Sequence, residues 1–511
     1  MLFNSHVFIF LFLPTVLLGY YGLRKITDSQ QLPLIWLLLA SLFFYGWWET
    51  RFLLLLLASI SINFIFGNVV YRSIKKRLWL TIGIGFNLSL IFYFKYASFV
   101  VDNLDWAFNE VWEFQEIILP LAISFFTFQQ IAWLVDIYKN QATIPSVYNY
   151  ALFVSFFPQL IAGPIVHHSE MMPQFERPLV SKQTRRNLSI GLTIFTLGLF
   201  KKIVLADQFA LYATPVFDAA SRGEVITLLE AWVGTLSYTF QLYFDFSGYS
   251  DMAIGLARML GIVLPLNFFS PYKAQNIRQF WQRWHITLSR FLRDYLYIPL
   301  GGNRAGFARI SINLMLTMLI GGLWHGASWT FVAWGGLHGL YLLIHRRYET
   351  SRRLQPNKFT AHPFIGVSLT FLAVVMAWVL FRADSFTSSI IIYKGMFGFS
   401  GVILPNGLFD LSPVLKASIE AADISVSSLS YMRGFPELLW LLAGGLICFA
   451  APNVYQFVAD HEPALIPPSI ILLQNQICWR DNIWWATIFA MLFTWSVLAL
   501  SRISEFLYFQ F

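Results

Sequence analysis

The chain has 511 residues, of which 57% are hydrophobic and only 12% are charged. A soluble domain carries about 25% charged residues, so this composition excludes a soluble globular protein and indicates a membrane protein. The formal net charge of +8 fits membrane topology and lipid headgroups rather than nucleic acid, and two cysteines exclude both a disulfide framework and a cysteine-based metal cluster.

Apolar runs near the roughly 20 residues needed to span a bilayer recur along the whole chain. They lie near 7–23, 33–48, 52–70, 78–94, 117–135, 148–165, 188–205, 228–263, 311–344, 365–381, 436–457 and 483–501. Two of them, 228–263 and 311–344, are long enough for a double pass. The sequence therefore predicts one all-α, polytopic membrane domain over residues 1–511, with an extramembrane loop at 400–435 that we place outside.

The charges between these runs alternate in sign. Basic residues follow the first run and recur at 72–77 and at 346–358, whereas the 102–116 loop is acidic. Cytoplasmic loops carry an excess of Lys and Arg, so the basic loops are predicted to lie inside and the N-terminus outside.

Within the run 228–263, the segment Tyr243–Asp251 contains two carboxylates, two serine hydroxyls and a glycine. Carboxylates at membrane depth usually pair with cations, so Asp245 or Asp251 is expected to hold an arginine or to orient a histidine. A purely structural role for these acids is an equal alternative.

Segment 273–309 contains seven basic residues and one acid, Asp294. Helical periodicity over 280–295 puts Trp281, Trp284 and His285 on one apolar face, which predicts a basic amphipathic helix at the membrane interface. The simplest interpretation of this helix is binding to anionic lipid. Only the histidine on its apolar face indicates more.

His325 lies inside the apolar run 311–344. As one helix this run would be about 51 Å long, too long for a single span, and basic residues flank both ends. The run is therefore predicted to enter the membrane and return, with a break among its glycines. His325 would then lie about 24 Å from Arg309 and deep in the membrane, where an ionisable side chain usually has a function or a partner. A packing role is the alternative, and it is the one we favour for His338.

Several of these residues carry a resemblance to a known family. The run 280–304, with its Arg-Trp-His, Arg-Asp-Tyr and Tyr-Ile-Pro-Leu-Gly-Gly-Asn-Arg elements, resembles the signature of the membrane-bound O-acyltransferase (MBOAT) family. The Trp324-His325-Gly326 and Tyr243–Asp251 motifs follow the family's order and spacing. The termini, Met1–Ser5 and Tyr508–Phe511, resemble the bacterial branch that acetylates alginate, which is related to the teichoic acid D-alanyl transfer protein.

This resemblance implies a ring of about eleven transmembrane helices, with re-entrant and interfacial helices, around a central tunnel. It implies that His325 is catalytic and that His285 is the second polar residue of the active centre. An acyl transfer from a thioester to a hydroxyl needs a base, and histidine, with an ordinary pKa near 6.5, can serve at neutral pH. His285 would steady the thioester carbonyl or orient His325. The candidate tunnel and support residues are Trp281, Trp284, Trp324, Asp245, Asp251 and Arg283.

The expected function is that of a bacterial inner-membrane O-acetyltransferase. It would move acetyl from cytoplasmic acetyl-coenzyme A or an acyl carrier protein toward hydroxyls of a cell-surface polysaccharide, alginate or a similar exopolysaccharide. Lipids and periplasmic acetyltransferases are the expected partners, with no nucleic acid, no tightly bound cofactor and no metal. The alternatives are a transmembrane acyl relay to a periplasmic enzyme, acylation of peptidoglycan or teichoic acid, a proton-coupled transporter, and a metal site built from His285, His325 and His338.

Overall fold

The computed structural model describes residues 1–27, 29, 31–109, 112, 117–176, 183–304, 306–354, 362–406, 413–421, 425–427, 429–432, 434–470, 478–501 and 507. Parts of the segments discussed above lie outside the described residues: Glu110, Glu113 and Glu116 of the acidic loop, Lys358 of the last basic loop, and the terminal Tyr508–Phe511.

Helices make up almost all of the regular structure. The first eleven are α1 (Leu13–Ile26), α2 (Gln31–Gly46), α3 (Thr50–Arg72), α4 (Lys76–Ile91), α5 (Ala97–Phe108), α6 (Ile123–Tyr138), α7 (Val147–Ser155), α8 (Phe157–Leu160), α9 (His168–Glu176), α10 (Thr184–Phe200) and α11 (Asp207–Ser221). The others are α12 (Leu228–Met259), α13 (Ile277–Trp281), α14 (Ile286–Leu292), α15 (Phe307–His325), α16 (Trp329–Leu354), α17 (Pro363–Arg382), α18 (Phe386–Met396), α19 (Pro413–Glu420), α20 (Phe435–Phe449), α21 (Val454–Phe457) and α22 (Ile483–Ala499).

Shorter elements interrupt or extend these helices. Four π-helical segments lie among the described residues: Phe8–Phe12, Phe92–Tyr96, Lys201–Ala206 and Arg293–Tyr297. Two 3₁₀ turns lie at Pro271–Lys273 and Ala459–His461. The segment 400–435 contains the only strands of the described chain, the parallel pair β1 (Ile403–Pro405) and β2 (Ser425–Ser427).

The all-α, polytopic membrane architecture predicted from the sequence is confirmed. Six helical stretches of the described chain are long and apolar enough to cross a membrane: Phe8–Ile26, Thr50–Arg72, Lys76–Phe108, Thr184–Ser221, Phe307–His325 and Pro363–Arg382. Three shorter apolar helices, α2, α20 and α22, add to them. The described helices bury three aromatic-rich clusters and leave many large apolar side chains on the outside, as expected where lipid replaces water.

Helix α12 runs through the buried interior as one uninterrupted helix of 32 residues. The prediction of a double pass at 228–263 is therefore wrong. α12 packs directly on α10, where a Cβ at Gly248 would lie 2.8 Å from the carbonyl oxygen of Gly198, and one at Gly255 would lie 2.6 Å from that of Gly191. Only glycine permits such backbone contact, so these residues bring the polar centre of α12 against the end of α10.

The predicted return at 311–344 is confirmed. α15 ends at His325 and α16 begins at Trp329, so the break falls at Gly326. The two helices pack backbone to backbone at Gly322 and Gly335, where a Cβ on Gly322 would lie 2.3 Å from the carbonyl oxygen of Phe331. This hairpin puts the catalytic-candidate histidine at the end of a helix and at its turn.

Two other sequence interpretations are wrong. The segment 280–295 is not one interfacial helix, because α13 ends at Trp281 and α14 begins at Ile286, and the intervening turn is buried at Trp284 and His285. The run 148–165 is not a single span either: it consists of the short helices α7 and α8, followed by a buried turn. The run 148–165 is apolar because it lies inside the protein, and apolar composition alone does not distinguish that burial from contact with lipid.

Candidate active site

The two histidines singled out in the sequence line one small cavity of about 30 Å³. His285 comes from the turn between α13 and α14, whereas His325 is the last residue of α15. The cavity is large enough for about one water molecule or a group of that size. His285 is 1% exposed, whereas His325 is only partly buried. The ring of Trp324 lies near both, with its centre 6.2 Å from that of His285 and 5.0 Å from that of His325.

The backbone holds His285 in an unusual conformation. Its φ of 42° lies in the left-handed region, which costs a non-glycine residue about 1–3 kcal/mol and needs support from its surroundings. Two backbone hydrogen bonds supply that support: the Ile286 N–H donates to the carbonyl of Asn267 at 2.9 Å, and the Phe269 N–H donates to the carbonyl of Arg283 at 2.9 Å. Strain of this kind is typical of functional sites.

Asn267 determines which nitrogen of His285 carries the proton. The side-chain oxygen of Asn267 accepts the backbone N–H of Thr287 at 3.3 Å and its hydroxyl at 2.9 Å, so this atom is an acceptor. Nδ1 of His285 lies 3.1 Å from the same oxygen and must donate to it. In the neutral ring Nε2 then carries a lone pair, and Nε2 is buried without a hydrogen-bond partner among the described residues.

The C-terminal end of α15, where His325 lies, is capped by the π-helical segment Phe92–Tyr96. Nζ of Lys95 donates to the carbonyls of Trp324 at 2.5 Å and His325 at 3.0 Å, and the Tyr96 hydroxyl donates to the carbonyl of Leu323 at 2.9 Å. The last carbonyls of a helix lack partners within the helix and carry partial negative charge, so a lysine here satisfies both needs. Lys95 also lines the cavity.

Aromatic rings form most of the cavity wall. Trp284 and Trp324, both expected there, line it. Trp334, Trp378 and Phe381 line it too, and the rings of Trp334 and Phe381 lie 5.1 and 5.2 Å from that of His325. Such walls exclude water, which would otherwise hydrolyse a reactive acyl group in competition with its transfer.

Trp281, the third expected wall residue, is not among the residues that line this cavity. It packs on His338, which is fully buried with ring centres 5.2 Å apart, and neither nitrogen of His338 has a hydrogen-bond partner among the described residues. His338 lies among aromatic rings and outside the cavity wall, in agreement with a packing role.

The two carboxylates of α12 pair with lysines rather than with an arginine or a histidine. Lys202 forms ion pairs with Asp245 and, at 2.9 Å, with Asp207, and its side chain is 1% exposed. Lys201 pairs with Asp251 at 2.6 Å, and the Tyr455 hydroxyl donates to the other oxygen of Asp251 at 2.7 Å. Asp245 lines the cavity, whereas Asp251 does not.

A second, larger cavity of about 820 Å³ lies beside the turn that carries His285. Arg278, Arg290 and Arg293 line it, as do Ile286 and Thr287, which directly follow His285 in the chain. Arg283 does not line this cavity. Each of these arginines already pairs with a carboxylate: Arg278 with Glu349, Arg290 with Glu170 and Arg293 with Asp294. Three guanidinium groups around a space of this size suit an anionic ligand that carries several phosphates and competes with these carboxylates.

Comparison with known proteins shows the family. Residues 79–390 match the sequence profile of the membrane-bound O-acyltransferase family. The chain belongs to the MBOAT family. It is an O-acyltransferase by that membership, as the resemblance of its motifs predicted.

Three relatives illustrate the range of similarity. The chain is 48% identical to the peptidoglycan O-acetyltransferase of Helicobacter pylori, over 79% of this chain and 81% of that one. It is 37% identical to the probable alginate O-acetylase of Pseudomonas putida over the full length of both chains. It is 27% identical to the teichoic acid D-alanyltransferase of Streptococcus thermophilus over 52% of this chain and 69% of that one.

Sequence reasoning missed three polar contributors to the site: Lys95, Asn267 and the lysine pair at 201–202. Lys95 directly follows the apolar run 78–94, where a lysine resembles an ordinary span end. The lysine pair lies near the end of the apolar run 188–205 and resembles an ordinary span end. Asn267 has no local signal, because its role depends on contacts with residues 18 to 20 positions away.

Proposed function

We propose that this protein transfers acetyl groups from a cytoplasmic thioester to hydroxyls of a cell-envelope polysaccharide. The observation that carries the proposal is the pair of histidines on one cavity walled by aromatic rings, beside a larger cavity lined by arginines. The small cavity suits the reacting carbonyl, and the larger one suits an anionic donor such as acetyl-coenzyme A or an acyl carrier protein. The protein would lie in a bacterial inner membrane with its N-terminus in the periplasm.

In the proposed reaction His325 acts as the general base. The acceptor hydroxyl attacks the thioester carbonyl while His325 takes the hydroxyl proton, and collapse of the tetrahedral intermediate expels the thiolate, which takes up that proton. A positioned base of this kind contributes typically about 10²–10⁴-fold in rate. Lys95 keeps His325 in place by capping the end of its helix.

His285 has a narrower role than the sequence suggested. With Nδ1 donating to Asn267, its neutral ring offers only an acceptor at Nε2, so it cannot polarise the thioester carbonyl by donating a proton. It would instead accept a hydrogen bond at the reaction centre and orient either the acceptor hydroxyl or the ring of His325. This role makes His285 a partner of the base and not an oxyanion donor.

The acceptor we favour is alginate or a similar exopolysaccharide, supported by the full-length similarity to probable alginate O-acetylases. Peptidoglycan is the second candidate, supported by the higher identity to a peptidoglycan O-acetyltransferase over four-fifths of the chain. Either polymer lies beyond the membrane, and a cavity of about 30 Å³ is too small for a sugar chain. Delivery through a periplasmic acetyltransferase partner is therefore included in the proposal.

The acceptor is tested by removing the gene and restoring it in the same cells. Peptidoglycan and exopolysaccharide are purified separately, and the acetate released from each by mild alkali is measured. We expect one polymer to lose its esters on deletion and regain them on complementation. Exopolysaccharide that keeps its esters while peptidoglycan loses them would replace the favoured acceptor by the second one, and no change in any polymer would contradict the proposed function.

The donor site is tested by the binding of coenzyme A to the full chain in lipid nanodiscs. We expect Arg278→Gln and Arg293→Gln each to weaken binding several-fold, and more so at low ionic strength, where charge attraction is least screened. Arg24→Gln, on α1, is the matched control and should bind as the wild type does. Equal binding by all of these proteins would contradict a donor site in the larger cavity.

A further inference from the structure

A cluster of metal-ligating side chains lies outside the active site, where the end of α6 meets the start of α9. Asp136, His167 and His168 each offer one ligand atom, and these atoms all lie within 4.8 Å of one another. Nε2 of His167 lies 2.7 Å from Oδ2 of Asp136, and Nδ1 of His168 lies 3.6 Å from the same oxygen. The Tyr295 hydroxyl reaches this oxygen at 2.7 Å and His167 Nε2 at 2.8 Å.

In both histidines the ring nitrogen that does not face Asp136 also has a hydrogen-bond partner. Nδ1 of His167 lies 2.6 Å from the Ser169 hydroxyl, with a longer contact of 3.3 Å from the Ser169 backbone N–H. The His168 ring hydrogen-bonds the backbone of Gln141. A histidine that binds a metal usually donates the N–H of its second nitrogen, which fixes both the tautomer and the orientation of the ring. In His167 this requires Nδ1 to donate to the Ser169 hydroxyl instead of accepting the Ser169 backbone N–H.

His168 provides the observation that a hydrogen-bonded cluster alone does not explain. Its side chain is only 8% exposed, yet Nδ1 has no hydrogen-bond partner among the described residues. This nitrogen is aimed at the carboxylate of Asp136, and a lone pair that faces a carboxylate is repelled unless a cation lies between them. A buried, unpaired polar atom beside two other ligand atoms therefore points to a bound ion.

We propose that Asp136, His167 and His168 bind a divalent metal ion of the zinc class. Imidazole nitrogen and carboxylate oxygen are the ligands that Zn²⁺ prefers, at about 2.0–2.2 Å, which puts neighbouring ligand atoms of a tetrahedral site about 3.3 Å apart. The distances of 2.7 and 3.6 Å around Asp136 lie on either side of that value, and all three ligand atoms lie within 4.8 Å of one another, so a local rearrangement of the side chains forms the site. The Tyr295 hydroxyl or a water molecule would be the fourth ligand.

The surroundings of the three side chains provide an entry path for an ion and separate the site from the cavity of the two histidines. A separate cavity of about 170 Å³ opens onto His167 and Tyr295, so an ion can reach the ligands. The Lys76 side chain donates to Asn140 at 3.1 Å, which puts this end of α6 beside the basic loop at 72–77. None of the three ligands lines the cavity that holds His285 and His325, so the metal has no part in the acyl transfer.

A bound ion would instead fasten α6 and the start of α9 to the π-helical segment Arg293–Tyr297. That segment follows α14, and its first residue, Arg293, lines the larger cavity. The Glu170 carboxylate, on α9, already forms an ion pair with Arg290 of α14, so the metal would add a second tie between the same parts of the chain. The site is structural, and its occupancy is independent of the proposed function.

The test uses the full chain in lipid nanodiscs, without a histidine tag and after treatment with a chelator. Zn²⁺ is titrated into the wild type, and metal that remains after gel filtration is counted by mass spectrometry. Co²⁺ then replaces Zn²⁺, because tetrahedral Co²⁺ absorbs visible light. We expect one equivalent of metal and a tetrahedral Co²⁺ spectrum. Substoichiometric binding by the wild type would overturn the proposal.

His168→Ala is the decisive variant, since it removes one ligand without touching the contact between Asp136 and Tyr295. We expect its Zn²⁺ affinity to fall at least tenfold, while His6→Ala, which removes an exposed histidine elsewhere, keeps wild-type affinity. Equal affinity in both variants, or equal loss in both, would overturn the assignment. If His168→Ala fails to give a monodisperse protein, Tyr295→Phe replaces it. If the Tyr295 hydroxyl is a ligand, the Co²⁺ spectrum of Tyr295→Phe should shift but stay tetrahedral, because a water molecule takes the place of the hydroxyl. A spectrum of free Co²⁺ would overturn the site.

Discussion

Replacing Lys95 by methionine tests whether the position of His325 depends on the cap at the end of α15. The substitution keeps the length and apolar character of the side chain but removes the ammonium group that donates to the carbonyls of Trp324 and His325. The two carbonyls and the negative end of the α15 dipole then lose their cation. The helix end is free to fray or rotate, and the histidine ring moves with it.

The magnitude follows from the contacts that are lost. A hydrogen bond to a charged group contributes about 1.5–3 kcal/mol, so two of them set an upper limit of about 3–6 kcal/mol. Water in the cavity can replace part of this. We therefore expect about 2.7 kcal/mol to be lost from transition-state stabilisation, which corresponds to about 100-fold in rate. A displacement of about 1 Å in a catalytic group has an effect of the same size.

Acetate incorporated into surface polymer, per amount of membrane-inserted protein, measures the effect in cells that lack their own copy of the gene. Tyr96→Phe is the graded control, because it removes a single neutral hydrogen bond to the same helix end, worth about 1 kcal/mol, and should lower the rate no more than about tenfold. Wild-type incorporation by Lys95→Met, or a loss no larger than that of Tyr96→Phe, would refute this reasoning.

Three further substitutions test other parts of the structure. Asn267→Ala releases the His285 ring, which the Asn267 amide holds in one tautomer. We expect acetylation to fall at least about 100-fold at unchanged protein level, which is within the about 10⁴-fold cost of a wrong histidine tautomer in serine proteases. Normal acetylation would contradict the tautomer assignment. Lys202→Met breaks a buried ion pair, which costs about 3–5 kcal/mol, whereas Lys201→Met leaves its carboxylate bonded to a tyrosine hydroxyl. Thermal unfolding followed by fluorescence-detected gel filtration should show a much lower melting temperature for Lys202→Met than for Lys201→Met. Equal melting temperatures would contradict the larger cost assigned to the buried Lys202 ion pair. Gly322→Ala forces two helices apart and should destabilise the protein by about 1–3 kcal/mol, while Gly85→Ala, whose Cβ meets nothing within 4 Å, should leave the melting temperature unchanged or slightly higher. Equal melting temperatures for these two variants would show that the hairpin tolerates separation.

The hairpin around His325 could be predicted from the sequence because its signals are local. All three signals lie within or beside one short segment: the length of the run 311–344, its flanking arginines and its glycines. Together they predict a turn near the middle of the run. Its depth follows from counting residues along a helix. The same arithmetic failed for 228–263, because α12 is an unusually long helix buried by other helices and not limited by the thickness of a bilayer.

The partners of the two histidines could not be predicted in the same way. The helical periodicity over 280–295 conceals a residue with positive φ at His285, since that conformation depends on hydrogen bonds with residues 267 and 269. Likewise, the carboxylates of α12 indicate a need for cations, but which cation meets each one depends on how α10 and α12 pack. Charge and periodicity show that a polar side chain at depth needs a partner, and only the tertiary fold shows which residue it is.

The most direct test of the central claim is the alkali-labile acetate on surface polysaccharide of cells that carry the wild type, His325→Ala or His285→Ala at matched membrane levels. We predict that His325→Ala removes the esters while the protein stays folded and inserted, and that His285→Ala reduces them strongly. Wild-type ester content in both variants would contradict acyl transfer at this cavity.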